Sequence, residues 1–559
     1  MPALIAIHSR TFPVPASLPL EAARRPAAAW PVRRQLTYIT VAWMFGSIWF
    51  NVTQGAVMTM FLKGLGASPL QFGLMAAMPY VAQLLSVPGS LLVERTGNRK
   101  RIFLDCHLLQ RSLTLVIAAA PVALLACYGP AGAGHAAALV LGLMFVLHAA
   151  GATGGPAWVS WMADVVPARV RGKYFAGRRQ WGIVTAVPAA LAIGWGMDRL
   201  CSSGGGSGGG AGSSAGGSPL AGVPAVVFWG AALLAASTFF GLMDIVLFAP
   251  VPHAARPPRA GRELLASFAA PLRDKRFLTL STFVGALNFT VGFTNQFATL
   301  YVIDRLKVDH IHAQVMLLVT PMLVQWALLP AWGAAVDKMG QRPLLVLSGL
   351  GLIPMGFGWC LMGEGSAWLG YVLFAGGTAL WTGVEVANFN AVIDASGRAA
   401  APGTKPGMKP GVKPAGGSGY HAVNTVLVNA FGCAGGLAAG LIAAGVGGRT
   451  WQPVAWFRPG DFYDALFALS GAVRVLAVVA IVPLMADPAA KGVGATARFL
   501  VAFTAGRVGE LAAAVGRRVR PVTAKPAEGE DGSDDGWDGP APIGAIGLDA
   551  EPAEGRAAA

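Results

Sequence analysis

The chain has 559 residues, of which 54% are hydrophobic and only 12% are charged. Soluble globular proteins carry about 25% charged residues, so the composition excludes an ordinary soluble protein and indicates an integral membrane protein. The net charge of +15 requires no nucleic acid partner, because the basic residues lie mainly between apolar segments. The five cysteines are scattered, which fits neither a disulfide framework nor a metal site, and no cofactor is expected.

Twelve apolar segments of about 20 residues can be placed, each suited to cross a bilayer. They are residues 36–62, 70–93, 102–126, 135–155, 182–197, 223–249, 277–303, 313–336, 344–362, 368–393, 421–446 and 462–485. We therefore predict an all-α membrane protein with twelve transmembrane helices, six in residues 36–249 and six in residues 277–485. Residues 1–35 form an N-terminal tail, 250–276 a central loop and 486–559 a C-terminal tail.

Lysine and arginine concentrate in alternate loops, among them residues 169–179, which predicts that both termini and the central loop face the cytoplasm. A Gly/Ser segment at 202–218 and a Lys-Pro repeat at 403–416 are linkers by composition. Residues 496–519 mix apolar side chains with arginines, which is typical of an interfacial helix on the inner membrane surface. The acidic end of the chain is predicted to be disordered.

A short polar turn occurs twice, between the second and third apolar segments and between the eighth and ninth. In each copy an acid precedes a cation, a glycine follows two positions later, and an arginine follows the glycine. Glycine permits the positive φ with which a chain can reverse sharply. The two copies comprise Glu94, Arg95, Gly97 and Arg99, and Asp337, Lys338, Gly340 and Arg342.

This spacing resembles the signature loop of the major facilitator superfamily, G-x-L-x-[DE]-R-x-G-x-[RK]. The first copy departs from it, with Ser90 in place of the opening glycine and Glu94 in place of the usual aspartate. The D-x-x-P-x-x-x-R-G stretch from Asp164 is similar to the loop after the fourth helix of that family. Over residues 36–485 the repeated turn and the resemblance imply a secondary transporter whose two pseudo-symmetric six-helix bundles, residues 36–249 and 277–485, rock about a central cavity. It also implies that the acids and arginines of the turns latch the inner helix ends together in the outward-open state.

Polar side chains recur at helical spacing within the first, seventh and tenth segments. Such groups are costly in hydrocarbon, so they should face protein or a water-filled cavity. The resemblance implies that the first, fourth, seventh and tenth helices line the substrate cavity. The alternative is that the amides join helices through hydrogen bonds worth about 1 kcal/mol each. The cavity candidates are Asn51, Gln54, His148, Asn288, Asn295, Gln296, Trp381, Glu385 and Asn388.

Glu385 is the single carboxylate on these stripes, about 13 Å along the helix from Asp394. Burial disfavours its charged form, so Glu385 could bind and release a proton as the cavity changes sides, with the proton as coupling ion. Alternatively, it is the ionised partner of Arg111 or Arg474, or it binds substrate without coupling. Asp244 is another candidate partner for Arg111, whereas the sequence names none for Arg474.

We expect a monomeric multi-pass protein of the cell (inner or plasma) membrane, whose partners are a small-molecule substrate and the lipid bilayer. The sequence has no P-loop pattern G-x-x-x-x-G-K-[ST], which argues against transport driven by ATP at this chain. Two alternatives to a transporter are a transporter-like sensor or scaffold without flux and a membrane-embedded enzyme. No cluster of His, Asp or Cys in the sequence favours the enzyme.

Overall fold

The computed structural model describes residues 31–167, 171–202, 218–253, 269–363, 365–400, 416–452, 459–485 and 492–519. Most of the predicted N-terminal tail, the Gly/Ser and Lys-Pro linkers, most of the central loop and the acidic end lie outside these residues. By its internal contacts the chain divides into two units, residues 1–504 and 505–559. The described residues of the second unit, 505–519, are helical.

The first half of the chain begins with two spans that are each built from two helices. α1 and α2 are separated by Gly55, and the short segment 84–85 separates α3 from α4. The helices of this half are α1 Val32–Gln54, α2 Ala56–Gly64, α3 Pro69–Gln83, α4 Ser86–Thr96, α5 Arg99–Tyr128, α6 Ala133–Val165, α7 Arg171–Ser202 and α8 Ala225–Val246.

The second half starts after the central loop with a short helix. A π-helical turn, Val315–Val319, joins α11 to α12, so these form one span. The helices are α9 Ala269–Arg273, α10 Lys275–Asp304, α11 His310–Gln314, α12 Thr320–Met339, α13 Gln341–Gly358, α14 Ala367–Ala400, α15 Gly416–Val446, α16 Phe462–Ile481 and α17 Val493–Val519.

The lengths and hydropathies of the helices agree with the predicted membrane protein. Within the described ranges, ten helical stretches are long and apolar enough to cross a membrane. One of them, Arg99–Val165, contains two spans, because a 3₁₀ turn at Gly129–Gly132 interrupts it. The bent pair α1 and α2 lies outside the ten. The ten stretches therefore hold eleven candidate spans, and α1 with α2 makes a candidate twelfth.

The fifth span is longer than its sequence predicts. The basic run before it was predicted as a loop, and this prediction is wrong from residue 171 onward, because α7 runs through it. The Arg178 guanidinium lies 4.5 Å from the ring centre of Trp43 and 5.1 Å from that of Trp158. Aromatic faces thus accommodate this cation within a helix bundle, which the charge pattern alone does not indicate.

Both predicted turns have the expected backbone. α4 ends at Thr96 and is followed by Gly97 with φ of 66°, and α12 ends at Met339 and is followed by Gly340 with φ of 89°. Residues with a β-carbon are strained at such angles. The two turns lie at the same end of the helix bundle, called here the turn end.

A buried ion pair lies in the first half. Arg111 and Asp244 are 7% and 4% exposed, and their side chains are 2.9 Å apart. The Arg111 guanidinium also lies 3.5 Å from the ring centre of Trp49, whose indole nitrogen donates to Thr114. The predicted pairing of Arg111 with Asp244 is confirmed.

The predicted interfacial segment is helical, as α17. Its first turns pack on protein: Phe499 and Leu500 contact the buried cluster that contains Leu344 and Ala477. Thr496 is fully buried, and the Lys338 ammonium lies 5.2 Å from the ring centre of Phe499. This part of α17 therefore covers the second turn.

Candidate functional site: a cavity between the two halves

The halves meet at the end of the bundle opposite the turns. There α3 and α15 cross through glycines: a Cβ on Gly440 would lie only 2.8 Å from the Cα of Gly73. Larger side chains would push these helices apart. A cluster of buried apolar residues continues across the halves, from Phe61 and Leu62 to Phe297.

Polar contacts also join the halves at this end of the bundle, called here the closed end. Lys63 at the end of α2 forms an ion pair with Asp304 at the end of α10, and Tyr463 donates to the same carboxylate at 3.0 Å. Asp198 of α7 accepts hydrogen bonds from the backbone nitrogens of His310 and Ile311, at 2.7 and 3.0 Å. Asp198 thus caps the start of α11 across the boundary between the halves.

At the turn end each half has its own core. Phe103, Trp161 and Phe248 belong to a cluster of residues from the first half alone. Phe277 and Tyr420 belong to another, drawn entirely from the second half. Among contacts between described residues, no ion pair joins the halves at this end.

A cavity of about 290 Å³ lies between the halves. The first half contributes Gln54 and Thr59, near the break between α1 and α2. Most of the wall belongs to the second half, from α10, α12, α13, α14 and α16. Its aromatic part is formed by Trp359, Phe374 and Trp381. The cavity can therefore contact both apolar and hydrogen-bonding parts of a small solute.

The structure brings four of the nine cavity candidates together. Gln54, Asn295, Gln296 and Trp381 all line the cavity. Gln296 also accepts a hydrogen bond of 2.9 Å from Thr59, which joins α10 to α2 across the halves.

The other candidates lie away from the cavity lining. Asn51 is 2% exposed and its amide has no hydrogen-bond partner among the described residues. Asn288 donates to the Val284 carbonyl one turn earlier in its own helix, at 3.1 Å. His148 is half-buried on α6, and the side-chain oxygen of Asn388 is buried without a described partner.

Glu385 is not part of the cavity lining, but it lies next to one of the lining residues. It is exposed, and it accepts a hydrogen bond of 3.3 Å from the Gln325 side chain, a residue of the cavity wall. The Gln325 oxygen accepts from the guanidinium of Arg179 on α7. A side-chain bridge therefore runs from the first half to the carboxylate of Glu385. Arg111 is paired elsewhere, so Glu385 is not its partner.

The turns themselves are anchored within their own halves. Arg99 contacts Asp164 at the end of α6, with 2.6 Å between the side chains. In the second half, Gln341 donates to Asp394 of α14. Glu94 and Asp337, the turn acids, make no ion pair with a described residue.

A family comparison decides what kind of protein carries this cavity. Residues 36–404 match the family described as the Major Facilitator Superfamily. The chain belongs to the major facilitator superfamily. It is accordingly a multi-pass membrane transporter of a small solute, and not an enzyme. Comparison with curated protein sequences gives no match.

Solved structures of major facilitator transporters share the fold. A mutant of the nucleoside transporter NupG aligns with a TM-score of 0.54 at 12% identity, covering 82% of this chain and all of that one. A bacterial homolog of the human lysosomal transporter Spinster, inward-facing and occupied, gives 0.52 at 16% identity, covering 86% and 98%. A POT family transporter in complex with 5-aminolevulinic acid gives 0.53 at 11% identity, covering 81% and 97%.

Several residues of this superfamily member's cavity were missed from sequence. Arg474, noted only as unpaired, lines the wall, as do Gln325 and Thr378. The signal for Arg474 was present, since an arginine within an apolar helix should face protein or a cavity. Gln325 is likewise a polar residue within an apolar segment. Its partner Arg179 gave no such signal, because the sequence placed the basic run that contains Arg179 in a loop.

Proposed function

We propose that the chain is a secondary transporter that works by alternating access, with its substrate in the cavity between the halves. The observation that carries this proposal is that the halves share a core at one end and have separate cores at the other. A reversal of that asymmetry would expose the same cavity to the other side of the membrane.

The turns are proposed to latch the opposite state. Glu94 and Asp337 make no ion pair with a described residue in this conformation, in which the halves have separate cores at the turn end. Their charges are available to the facing half when that end closes. Asp337→Asn should therefore lower transport while the protein still folds and reaches the membrane.

We further propose Glu385 as the group that couples proton movement to the substrate. The ionised carboxylate accepts from Gln325, which in turn accepts from Arg179. A proton on Glu385 removes the negative charge that faces this bridge. The contact with Arg179 is then weakened, so proton binding would favour separation of the halves at this level.

Glu385→Gln tests coupling once a transported solute is available. In proteoliposomes, the variant should lose uphill accumulation driven by a pH gradient and retain exchange of labelled for unlabelled solute. Arg179→Gln is the matched control, because it breaks the same bridge and leaves the carboxylate. An unchanged dependence on the pH gradient in Glu385→Gln would remove this residue from coupling, and absence of any flux would favour a sensor.

We propose that the protein lies in the inner or plasma membrane of the cell. The turn end and both termini would then face the cytoplasm. The basic residues near the turns support this proposal. Reporter fusions after Arg101 and Arg276 should read cytoplasmic, and a reporter inserted in 202–218 should read outside.

A further inference from the structure

Arg474 is the charged group of the cavity. It lies on α16, is 5% exposed, and is the one ionisable side chain with a full charge among the described residues that line the cavity. Its surroundings therefore decide which charge a solute must carry to be held there.

Only part of the guanidinium is satisfied by the protein. Nε donates to the hydroxyl of Thr290 at 3.0 Å, and Nη1 donates to the Leu352 carbonyl at 2.7 Å. Both acceptors are neutral. Nη2 forms no hydrogen bond with a described residue. Arg474 also makes no ion pair with an acid in the described part of the chain.

The first half of the protein shows how unusual this is. Arg111 is buried to a similar degree, but it has the carboxylate of Asp244 at 2.9 Å. An arginine is held in a low-dielectric interior when a counter-charge or a set of hydrogen bonds offsets its loss of hydration. Arg474 has two neutral acceptors, and it forms part of the cavity wall.

Glu385, which accepts a hydrogen bond from a residue of the cavity wall, does not supply that charge. Glu385 is held by Gln325, and Gln325 is held in turn by the cation Arg179. The negative charge of Glu385 is thus opposed by Arg179. The cavity itself keeps an excess of positive charge.

We infer that the cavity takes an organic anion, whose carboxylate or phosphate group accepts hydrogen bonds from Arg474. The inference rests on the proposed function in taking this cavity as the substrate site. A planar guanidinium offers parallel donors that match two oxygens of such a group. Trp359, Phe374 and Trp381 then contact the apolar part of the solute, and the volume of about 290 Å³ restricts it to a small metabolite.

Binding to the purified protein tests the inference without any transport assay. The probes are small carboxylates, such as benzoate and succinate, each paired with its uncharged amide, together with inorganic phosphate and a sugar phosphate. Quenching of tryptophan fluorescence reports occupancy, because two tryptophans line the cavity. We expect at least one acid to bind to wild type and its amide to bind about tenfold more weakly or worse.

Variants of Arg474 test whether the anion binds at this residue. Arg474→Gln should weaken binding of that acid by about tenfold or more, whereas Arg474→Lys keeps the charge and should lose less. Arg305→Gln is the matched control, since Arg305 pairs with Asp461 outside this cavity, and it should bind as wild type does. If Arg474→Gln does not fold, the acid and amide comparison on wild type and the Arg474→Lys variant carry the test.

Three results would overturn the inference: no acid or phosphate of the panel binds, an amide binds as tightly as its acid, or Arg474→Gln binds the acid unchanged. Failure of the transport proposal looks different. Anion binding at Arg474 without flux in proteoliposomes would contradict transport and retain the anion site. Flux of an uncharged solute, with no anion bound, would contradict the anion site alone.

Discussion

Arg99 at the start of α5 lies 2.6 Å from Asp164 at the end of α6. Its guanidinium also donates to the backbone oxygen and the hydroxyl of Ser160, at 2.9 and 3.2 Å. In the second half the corresponding link joins Gln341 to Asp394. The first turn is therefore anchored through an ion pair and the second through a neutral amide.

This difference predicts that replacing the aspartate of each anchor by asparagine will lower stability by unequal amounts. Asp164→Asn removes the charge that Arg99 contacts, and the Arg99 side chain is only 2% exposed. We expect stability to fall by about 1–3 kcal/mol, measured by thermal unfolding in detergent. Asp394→Asn is the control and should cost less, because an asparagine oxygen still accepts from Gln341. Equal losses in the two variants would contradict the charged anchor.

The buried pair Arg111 and Asp244 predicts a non-additive double variant. Arg111→Met leaves Asp244, which is 4% exposed, without the guanidinium that it contacts. Loss of one partner of a buried pair costs about 3–5 kcal/mol. Arg111→Met with Asp244→Leu should unfold closer to wild type than Arg111→Met alone. A double variant whose loss equals the sum of the single losses would show that the pair is not coupled.

His253, beyond the end of α8, predicts a pH effect on stability. Burial lowers its pKa from the usual 6.5, and the charges of Arg99 and Lys100 lower it further. The folded protein thus binds this proton less readily than the unfolded chain. Above about pH 6.5 the histidine is neutral in both states and does not change the free energy of unfolding. Below pH 6.5 the unfolded chain binds the proton first, so the free energy of unfolding falls until the pH reaches the lowered pKa of the folded protein.

His253→Phe tests this contribution. Phenylalanine can keep the edge contact with the Trp161 ring, whose centre lies 5.9 Å from that of His253. Unfolding midpoints of the variant and wild type should diverge progressively below pH 6.5, with the variant retaining more stability. Parallel curves across this range would exclude His253 as a source of the pH dependence.

The sequence was sufficient for features determined over a few residues. The turn glycines needed positive φ, and Gly97 and Gly340 have it. Charged residues within apolar segments are few, so each has few possible partners of opposite charge. For this reason Asp244 could be named as a candidate partner of Arg111. Helical spacing also identified the polar cavity residues at the ends of their stripes, Asn295 among them.

Other features depend on how the helices rotate and on how the halves meet. Asn288 lies on the same helix face as Asn295, yet its amide donates to a carbonyl of its own helix and does not line the cavity. One face of a long helix contacts different neighbouring helices along its length, so residues on that face can have different surroundings. The bridge from Arg179 through Gln325 to Glu385 joins three helices of two halves. No local pattern encodes such a contact, and the same holds for the position of Arg474.

The closed end offers the most direct control of the conformation. Lys63 and Asp304 face each other across the halves as an ion pair. Lys63→Glu places two acids there, and like charges at contact distance repel. The variant should open this end, and Lys63→Glu combined with Asp304→Lys should close it again.

Pulsed electron–electron resonance on spin-labelled protein in liposomes measures both ends of the bundle, after the five native cysteines are replaced by serine. Labels at Ala221 and Lys307 report the closed end, and labels at Arg101 and Arg276 report the turn end. All four positions are exposed.

This measurement tests alternating access itself. The account predicts that Lys63→Glu lengthens the distance at the closed end and shortens the distance at the turn end, and that adding Asp304→Lys reverses both changes. Distances that move in the same direction at the two ends, or a turn end that stays fixed while the closed end opens, would contradict it.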